Sequence, residues 1–170
     1  ADALHEKSTT RAVDKEKYRY TAETEDAFWS LAKGRNVIIL QVEALQNFVL
    51  GSYYNGQELT PFLNQMLSED TLYFDHYYYQ IGGGNTADAE FAVNNSLFAP
   101  ENAAAYVQYT DNTYHGLPWL LEDNGYSGAH VFHNYRGDFW NRREAYPAQG
   151  FDSFTALEDF EEIDPFPMGI

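Results

Sequence analysis

Asn36 to Leu45 reads NVIILQVEAL, and a run of this kind restricts the folds open to a chain. Val37, Ile38, Ile39 and Leu40 follow one another without a polar break. A β-branched run that is apolar on both faces predicts a strand buried on both sides, as in a parallel sheet covered by helices. The pattern then alternates. LTPFLNQMLSED places Thr60 at a helix N-cap and Pro61 at the first helical position, with Phe62, Leu63, Met66 and Leu67 at helical spacing. TLYFDHYYYQ is an aromatic strand candidate, read as sheet packing in preference to a sugar platform. NTADAEFAVNNSLF predicts a helix with Asn85 as cap and Asp88 three residues on, in a capping-box arrangement. DNTYHGLPWLLEDNGY predicts a helix closed by Gly125, YSGAHVFH a third strand, and GDFWNRREAY a short helix. Strands alternating with helices indicate an α/β domain, a mostly parallel sheet flanked by helices.

The first 35 residues are polar and charged and read as a lead-in or linker segment, leaving residues 36–170 for the domain. Charge narrows the partners. With 26 acidic against 10 basic residues the formal charge is −16, so no nucleic acid partner is expected, because binding a phosphate backbone means neutralising it. An anionic substrate has to be drawn in by a local positive site or a metal. The absence of cysteine excludes disulfides, zinc–thiolate sites and thiol nucleophiles. No apolar run approaches the roughly 20 residues that span a bilayer. The chain begins at Ala, which suggests a piece of something longer, and the acidic stretch 158–164 reads as a solvated face.

Parallel sheets hold ligands at the carboxyl ends of their strands. Glu43, the Gly82–Thr86 loop and His133 all fall at such predicted ends. Three glycines allow close backbone approach, and the helix start behind them favours an anion. Asp88 and Glu90 add negative charge, which a metal ion would balance. Thr86 at the helix start presents a hydroxyl, a weak nucleophile that metal coordination activates. A glycine-rich turn before a capped helix is also compatible with a turn and nothing more, and no Gly-Lys-Ser/Thr follows to make it a Walker loop.

Four segments come in order: VEALQNF (42–48), LTPFLN (59–64), GGGNTADAEF (82–91) and FWNRREAY (139–146). Together they resemble the lipoteichoic acid synthase family, a branch of the sulfatase and alkaline phosphatase superfamily. The resemblance covers roughly residues 36–155 and corresponds to the opening part of that family's extracellular catalytic domain. It implies an alkaline phosphatase/sulfatase-like fold, incomplete at the C-terminus. Glu43 matches the family's metal-binding glutamate, and Thr86 matches its nucleophile and metal ligand. Trp140, Arg142 and His133 match residues around the glycerol phosphate group. The implied metal is Mn2+ or Mg2+, with the remaining Asp and His ligands expected beyond Ile170. Asn85 stands where the family often has lysine, which removes a positive charge beside the phosphate.

The implied activity is a phosphoglycerol transferase. It takes phosphatidylglycerol as donor, passes through a phospho-threonine, and extends a glycerol phosphate polymer. The parent protein is expected at the cell membrane, catalytic part outside, anchored by transmembrane helices that this chain lacks. The chain alone is expected to be soluble and inactive. Two alternatives remain open: another sulfatase-superfamily hydrolase or phosphoethanolamine transferase, and a non-catalytic module binding anionic cell-wall polymer. Dull roles also remain for single residues: Trp140 in core packing, Arg142 paired with Glu144 or Asp138, His133 as a structural histidine. His76, His115 and His130 are read as structural.

Overall fold

The computed structural model describes residues 30–68, 71–78 and 80–160. Most of the expected lead-in and the acidic tail past residue 160 lie outside the described residues. The chain divides into two units between Ile38 and Ile39. In the first, residues 30–35 form a turn, with Lys33 N–H donating to Ser30 at 2.9 Å. All elements named below belong to the second.

The second unit starts with a hairpin of β1 (Tyr53–Tyr54) and β2 (Gln57–Glu58), paired antiparallel across Asn55-Gly56. Both turn residues have positive φ, as a two-residue hairpin loop requires. Helix α1 (Pro61–Leu67) follows, with Pro61 opening it as predicted. The Thr60 hydroxyl, however, donates to Val49 O and Asn64 Oδ1 and caps no helical N–H.

The centre of the unit is α2 (Thr86–Asn95). It is ringed by α3 (Ala105–Gln108), α4 (Leu117–Glu122) and α5 (Arg142–Ala145). Helix α4 ends as expected at Gly125, φ +87°, with Tyr126 N–H reaching back to Leu121. Strands β3 (His130–Phe132) and β4 (Ser153–Thr155) pair in parallel, Val131 opposite Phe154, with α5 in the crossover between them. The predicted third strand is therefore β3; β4, not expected from the sequence, lies just before the acidic stretch that begins at Glu158. The α/β class and the parallel pairing hold.

Two predicted strands do not form. Residues 36–42 and 71–78 have no ladder partner among the described residues. A strand is a pairwise object, because its N–H and C=O groups need a neighbouring backbone. Leu40 is 80% and Phe48 71% exposed, so the apolar run that promised a doubly buried strand lies open here. Tyr77 and Tyr78, expected to pack in a sheet, are exposed and line an open groove of about 390 Å³ with Val93, Leu97 and Phe98.

The core is aromatic and small-residue. Ala87 and Phe91 of α2 meet Ala105 and Tyr106 of α3, and Ala145 and Tyr146. Phe91 is edge-on to Tyr114 at 5.1 Å, and Tyr146 stacks on Phe154 at 5.2 Å. Each such pair adds roughly 0.5–1.5 kcal/mol beyond area burial. Polar bonds then tie α2 to its surroundings at three levels. Asp88 accepts from Ala105 N–H at 3.0 Å. Glu90 accepts from Arg142 Nε and Nη2 and from the Tyr146 hydroxyl, at 2.8–3.1 Å. Asn95 donates to the buried Gln149 at 2.7 Å. Burial of the Tyr146 phenol, beside the Glu90 charge, pushes its pKa far up and keeps it a donor.

Arg142 is 1% and Glu90 8% exposed. Removing one partner of a buried pair leaves the other charge unanswered, at about 3–5 kcal/mol. Glu90→Ala and Arg142→Ala are each expected to lower stability by that amount in urea unfolding. A Glu90→Leu/Arg142→Met double variant should lose much less, and equal losses in single and double variants would contradict the pairing.

Candidate active site

Glu43 and Thr86 are 43 residues apart in sequence and meet in space. The Thr86 hydroxyl donates to Glu43 Oε2 at 2.9 Å. Gln41 Nε2 reaches the Thr86 carbonyl at 3.4 Å, a second tie between the two segments that the sequence did not suggest. Glu43 is exposed and Thr86 half-buried, so the pair sits at the surface with its hydroxyl reachable.

The glycine loop before Thr86 owes its composition to contact. A Cβ on Gly82 would lie 2.0 Å from Pro100 O, and one on Gly84 2.6 Å from Ala104 Cα. The loop is pressed against the 100–104 backbone, where only glycine fits. Beneath it lies Asp88, 0% exposed. Its carboxylate accepts from Gly84 N–H at 2.6 Å and from Ala105 N–H at 3.0 Å. The expected capping box is absent: Asn85 makes no side-chain cap, and its carbonyl instead receives Asp88 and Ala89 N–H, each at 3.1 Å. One anion at this helix start is the chain's own Asp88 carboxylate. Glu90 is likewise turned inward to Arg142, so neither acid adds charge beside Thr86. A signal for this was present in the sequence, since Asp88 lies three residues before Phe91 and Glu90 three after Ala87, which turns each toward the core face of α2.

Backbone strain gathers at the same places. Asn85 has φ 48° and ψ −116°, Ala44 φ 53°, and Trp140 φ 58° and ψ 26°. Positive φ costs a non-glycine residue about 1–3 kcal/mol and tends to collect at functional sites. Ala44 follows Glu43, Asn85 precedes Thr86, and Trp140 is itself a candidate. Asn141, also left-handed, anchors the Trp140 turn by donating to Tyr106 O at 3.0 Å.

Of the other sequence candidates, Arg142 meets α2 at Glu90, one helical turn beyond Thr86. Trp140 is half-buried, packed on the core and against Phe139. Arg142, expected at a phosphate, has its guanidinium engaged by Glu90 and by Phe139 O, which receives Nη1 at 2.8 Å. In this geometry it is an internal cation, because a group 1% exposed has no face left for a ligand unless it leaves its pair. His133 stands at the carboxyl end of β3, its N–H bonded to Thr155 O at 2.8 Å. Its Nε2 is shut off from solvent with no hydrogen-bond partner. Burial, helped by the Arg142 charge and opposed by Glu158, lowers its pKa from 6.5 to about 4, so the ring is neutral. Among the described residues, Trp140, Arg142 and His133 make no hydrogen bond to the Glu43–Thr86 pair. Of the remaining histidines, His76 contacts Asp75 and His130 contacts Ser153.

A hydroxyl and a carboxylate oxygen 2.9 Å apart match two neighbouring ligands on one octahedral Mg2+ or Mn2+, where that edge is about 3 Å. Both are hard donors of the type these ions take. They supply two positions; no group of three His, Asp or Glu residues gathers among the described residues.

The chain is similar to known proteins. The sulfatase family matches residues 35–166. Lipoteichoic acid synthase 2 of Bacillus subtilis (strain 168) is 38% identical over 140 residues, 81% of this chain and 21% of that protein. Lipoteichoic acid synthase of Staphylococcus aureus (strain USA300) is 35% identical over 151 residues, 88% and 23% respectively. The crystal structure of the lipoteichoic acid synthase LtaP from Listeria monocytogenes superposes with TM-score 0.73 at 37% identity, covering 78% of this chain and 32% of that one. The chain therefore spans about a fifth of the length of these curated relatives.

Two outcomes follow from the geometry. Gly82→Ala should destabilise the protein by about 1–3 kcal/mol, because backbone has to move; an unchanged thermal midpoint would mean the loop is looser than described. His133, neutral when folded, makes stability fall as pH drops from 6.5, where the unfolded chain starts to bind the proton, to about 4. His133→Phe should flatten that part of the urea-stability profile and leave the region above pH 7 parallel to the wild type.

Proposed function

This chain belongs to the sulfatase family, and on that premise we propose that it carries the nucleophile of a metal-dependent phosphoglycerol transferase. Thr86 is the nucleophile, and Glu43 holds both its hydroxyl and a divalent ion, Mn2+ or Mg2+. The supporting observation is the 2.9 Å contact between Thr86 Oγ1 and Glu43 Oε2 at a strained turn. A divalent ion bound there would stabilise the threonine alkoxide and the charge on the phosphoryl oxygens. Chemistry on phosphatidylglycerol would proceed in two displacements. Thr86 Oγ forms a bond to phosphorus as the bond to the diacylglycerol oxygen breaks, and the leaving oxygen takes a proton. The terminal hydroxyl of a glycerol phosphate polymer then displaces Thr86 and extends the polymer. That product is lipoteichoic acid, the polymer in the relatives' names.

Substrate contacts come from Trp140 and His133 in this reading. The neutral His133 ring carries an Nε2 that is unbonded but shut off from solvent, so it suits a glycerol hydroxyl once its cover shifts. Arg142 serves them indirectly, since its pairing with Glu90 fastens the Trp140 turn to the helix that starts at Thr86. Residues 36–170 form part of a sulfatase-like catalytic domain behind the 1–35 linker. The parent protein works at the outer face of a membrane. No described helix here is long and apolar enough to cross one.

The first test is Mn2+ titration by electron paramagnetic resonance. Binding is expected, weaker in Glu43→Ala and in Thr86→Ala by at least about tenfold, the loss that even outer-shell partners cause. Equal affinity in all three proteins would sink the metal assignment. With two ligand positions supplied among the described residues, this chain alone is expected to turn over no fluorescent phosphatidylglycerol.

A further inference from the structure

We infer that Asp88 is a positioning residue for Thr86: its buried carboxylate locks the Gly84–Asn85 turn so that the threonine hydroxyl faces Glu43. The inference rests on the reading of Thr86 as nucleophile.

The carboxylate is wholly buried and forms no ion pair among the described residues. It is met by two backbone N–H groups, one from the loop and one from the start of α3. Its position in the first turn of α2 adds the favourable end of the helix dipole. The glycines leave room for it: a Cβ on Gly84 would stand 2.5 Å from Oδ1, and one on Gly82 3.2 Å from Oδ2. The loop is folded around this internal anion. Asn85, between the clamped Gly84 and the helix, is held at φ 48° and ψ −116° with no side-chain bond of its own to offset the strain. What keeps the turn in that state is the pull on Gly84 from one side and on Ala105 from the other. Relaxation at Asn85 would rotate the peptide that carries Thr86 and separate its hydroxyl from Glu43.

Asp88→Asn is nearly isosteric but supplies one acceptor where two N–H groups converge. Nuclear magnetic resonance of the assigned chain tests the consequence. In the wild type the Gly84 amide should exchange at least about a hundredfold more slowly than an unstructured glycine, as a buried bonded N–H does. In Asp88→Asn that protection and the wild-type Thr86 13Cβ shift should be lost. The Phe91, Tyr106 and Tyr146 ring signals should stay, and Mn2+ affinity should fall about 10–100-fold, as for an outer-shell partner. Adding Asn85→Gly, where the turn carries no strain, should restore the Thr86 signal. A folded Asp88→Asn protein with unchanged Thr86 shift would overturn the inference and leave Asp88 merely stabilising. So would an unprotected Gly84 in the wild type. If Asp88→Asn does not fold, the Asn85→Gly/Asp88→Asn protein is compared with Asn85→Gly on the same Thr86 signal; equal shifts support the strain-holding role, and a Thr86 signal that stays displaced, or a double variant that is also unfolded, counts against it. A wild type that binds no Mn2+ defeats the metal reading alone, because the Gly84 and Thr86 signals still decide the role of Asp88.

Discussion

The pair formed by Glu90 and Arg142 holds the rest of this structure to the central helix. Two charges at 1% and 8% exposure are tolerable only with close, multiple hydrogen bonds. Here three guanidinium contacts to the carboxylate and one to Phe139 O meet that demand, and the Tyr146 hydroxyl completes it. The pair joins α2, which begins with Thr86, to the turn that carries Trp140. It also places a positive charge beside His133, one reason that ring is neutral. Losing the pair would therefore unsettle three candidate residues together, although it touches neither the Thr86 hydroxyl nor Glu43.

The site shows a division of labour between rigid support and local strain. Asp88, Glu90 and Asn95 tie α2 down at three heights. Against that frame the chain sustains unfavourable dihedrals at Ala44, Asn85 and Trp140. Among the described residues the other positive-φ residues outside glycine are Ser30, Ser96, Asn55 and Asn141, and for the asparagines left-handed geometry is easier. An alanine, a tryptophan and an asparagine outside the ordinary left-handed basin are harder to explain by turn chemistry. Their placement on or beside three of the proposed site residues gives the assignment a support separate from family likeness.

Much of this was legible in the chain itself. Pro61 marked the start of α1 and Gly125 the end of α4, because each signal acts within one helical turn; Asn85 stands at the start of α2 without the side-chain cap expected of it. The order of the four motifs identified the family, and the Glu43 and Thr86 they pointed to are in contact. The partners of buried acids were not legible. Asp88 looked like a capping-box residue and Glu90 like surface charge near a metal. Which N–H or guanidinium each would meet depends on segments 17 and 52 residues away. The strand expected at 36–42 failed for a related reason: its composition is right for a buried strand, but burial requires a partner backbone, and none of the described residues supplies it.

The sequence by itself determined that α1 opens at Pro61 and that α4 closes at Gly125, which family the chain belongs to, and which threonine and glutamate to examine. These follow from short-range sterics and from motif order. Only the tertiary structure decided what the three glycines are for. They let the loop close on the 100–104 backbone and around the Asp88 carboxylate. It alone decided that Arg142 is an internal cation and that His133 keeps an unbonded ring nitrogen. The physical reason is common to all three. Whether a polar group serves a ligand or the fold is set by what else reaches it once water is excluded, and those neighbours are distant in sequence.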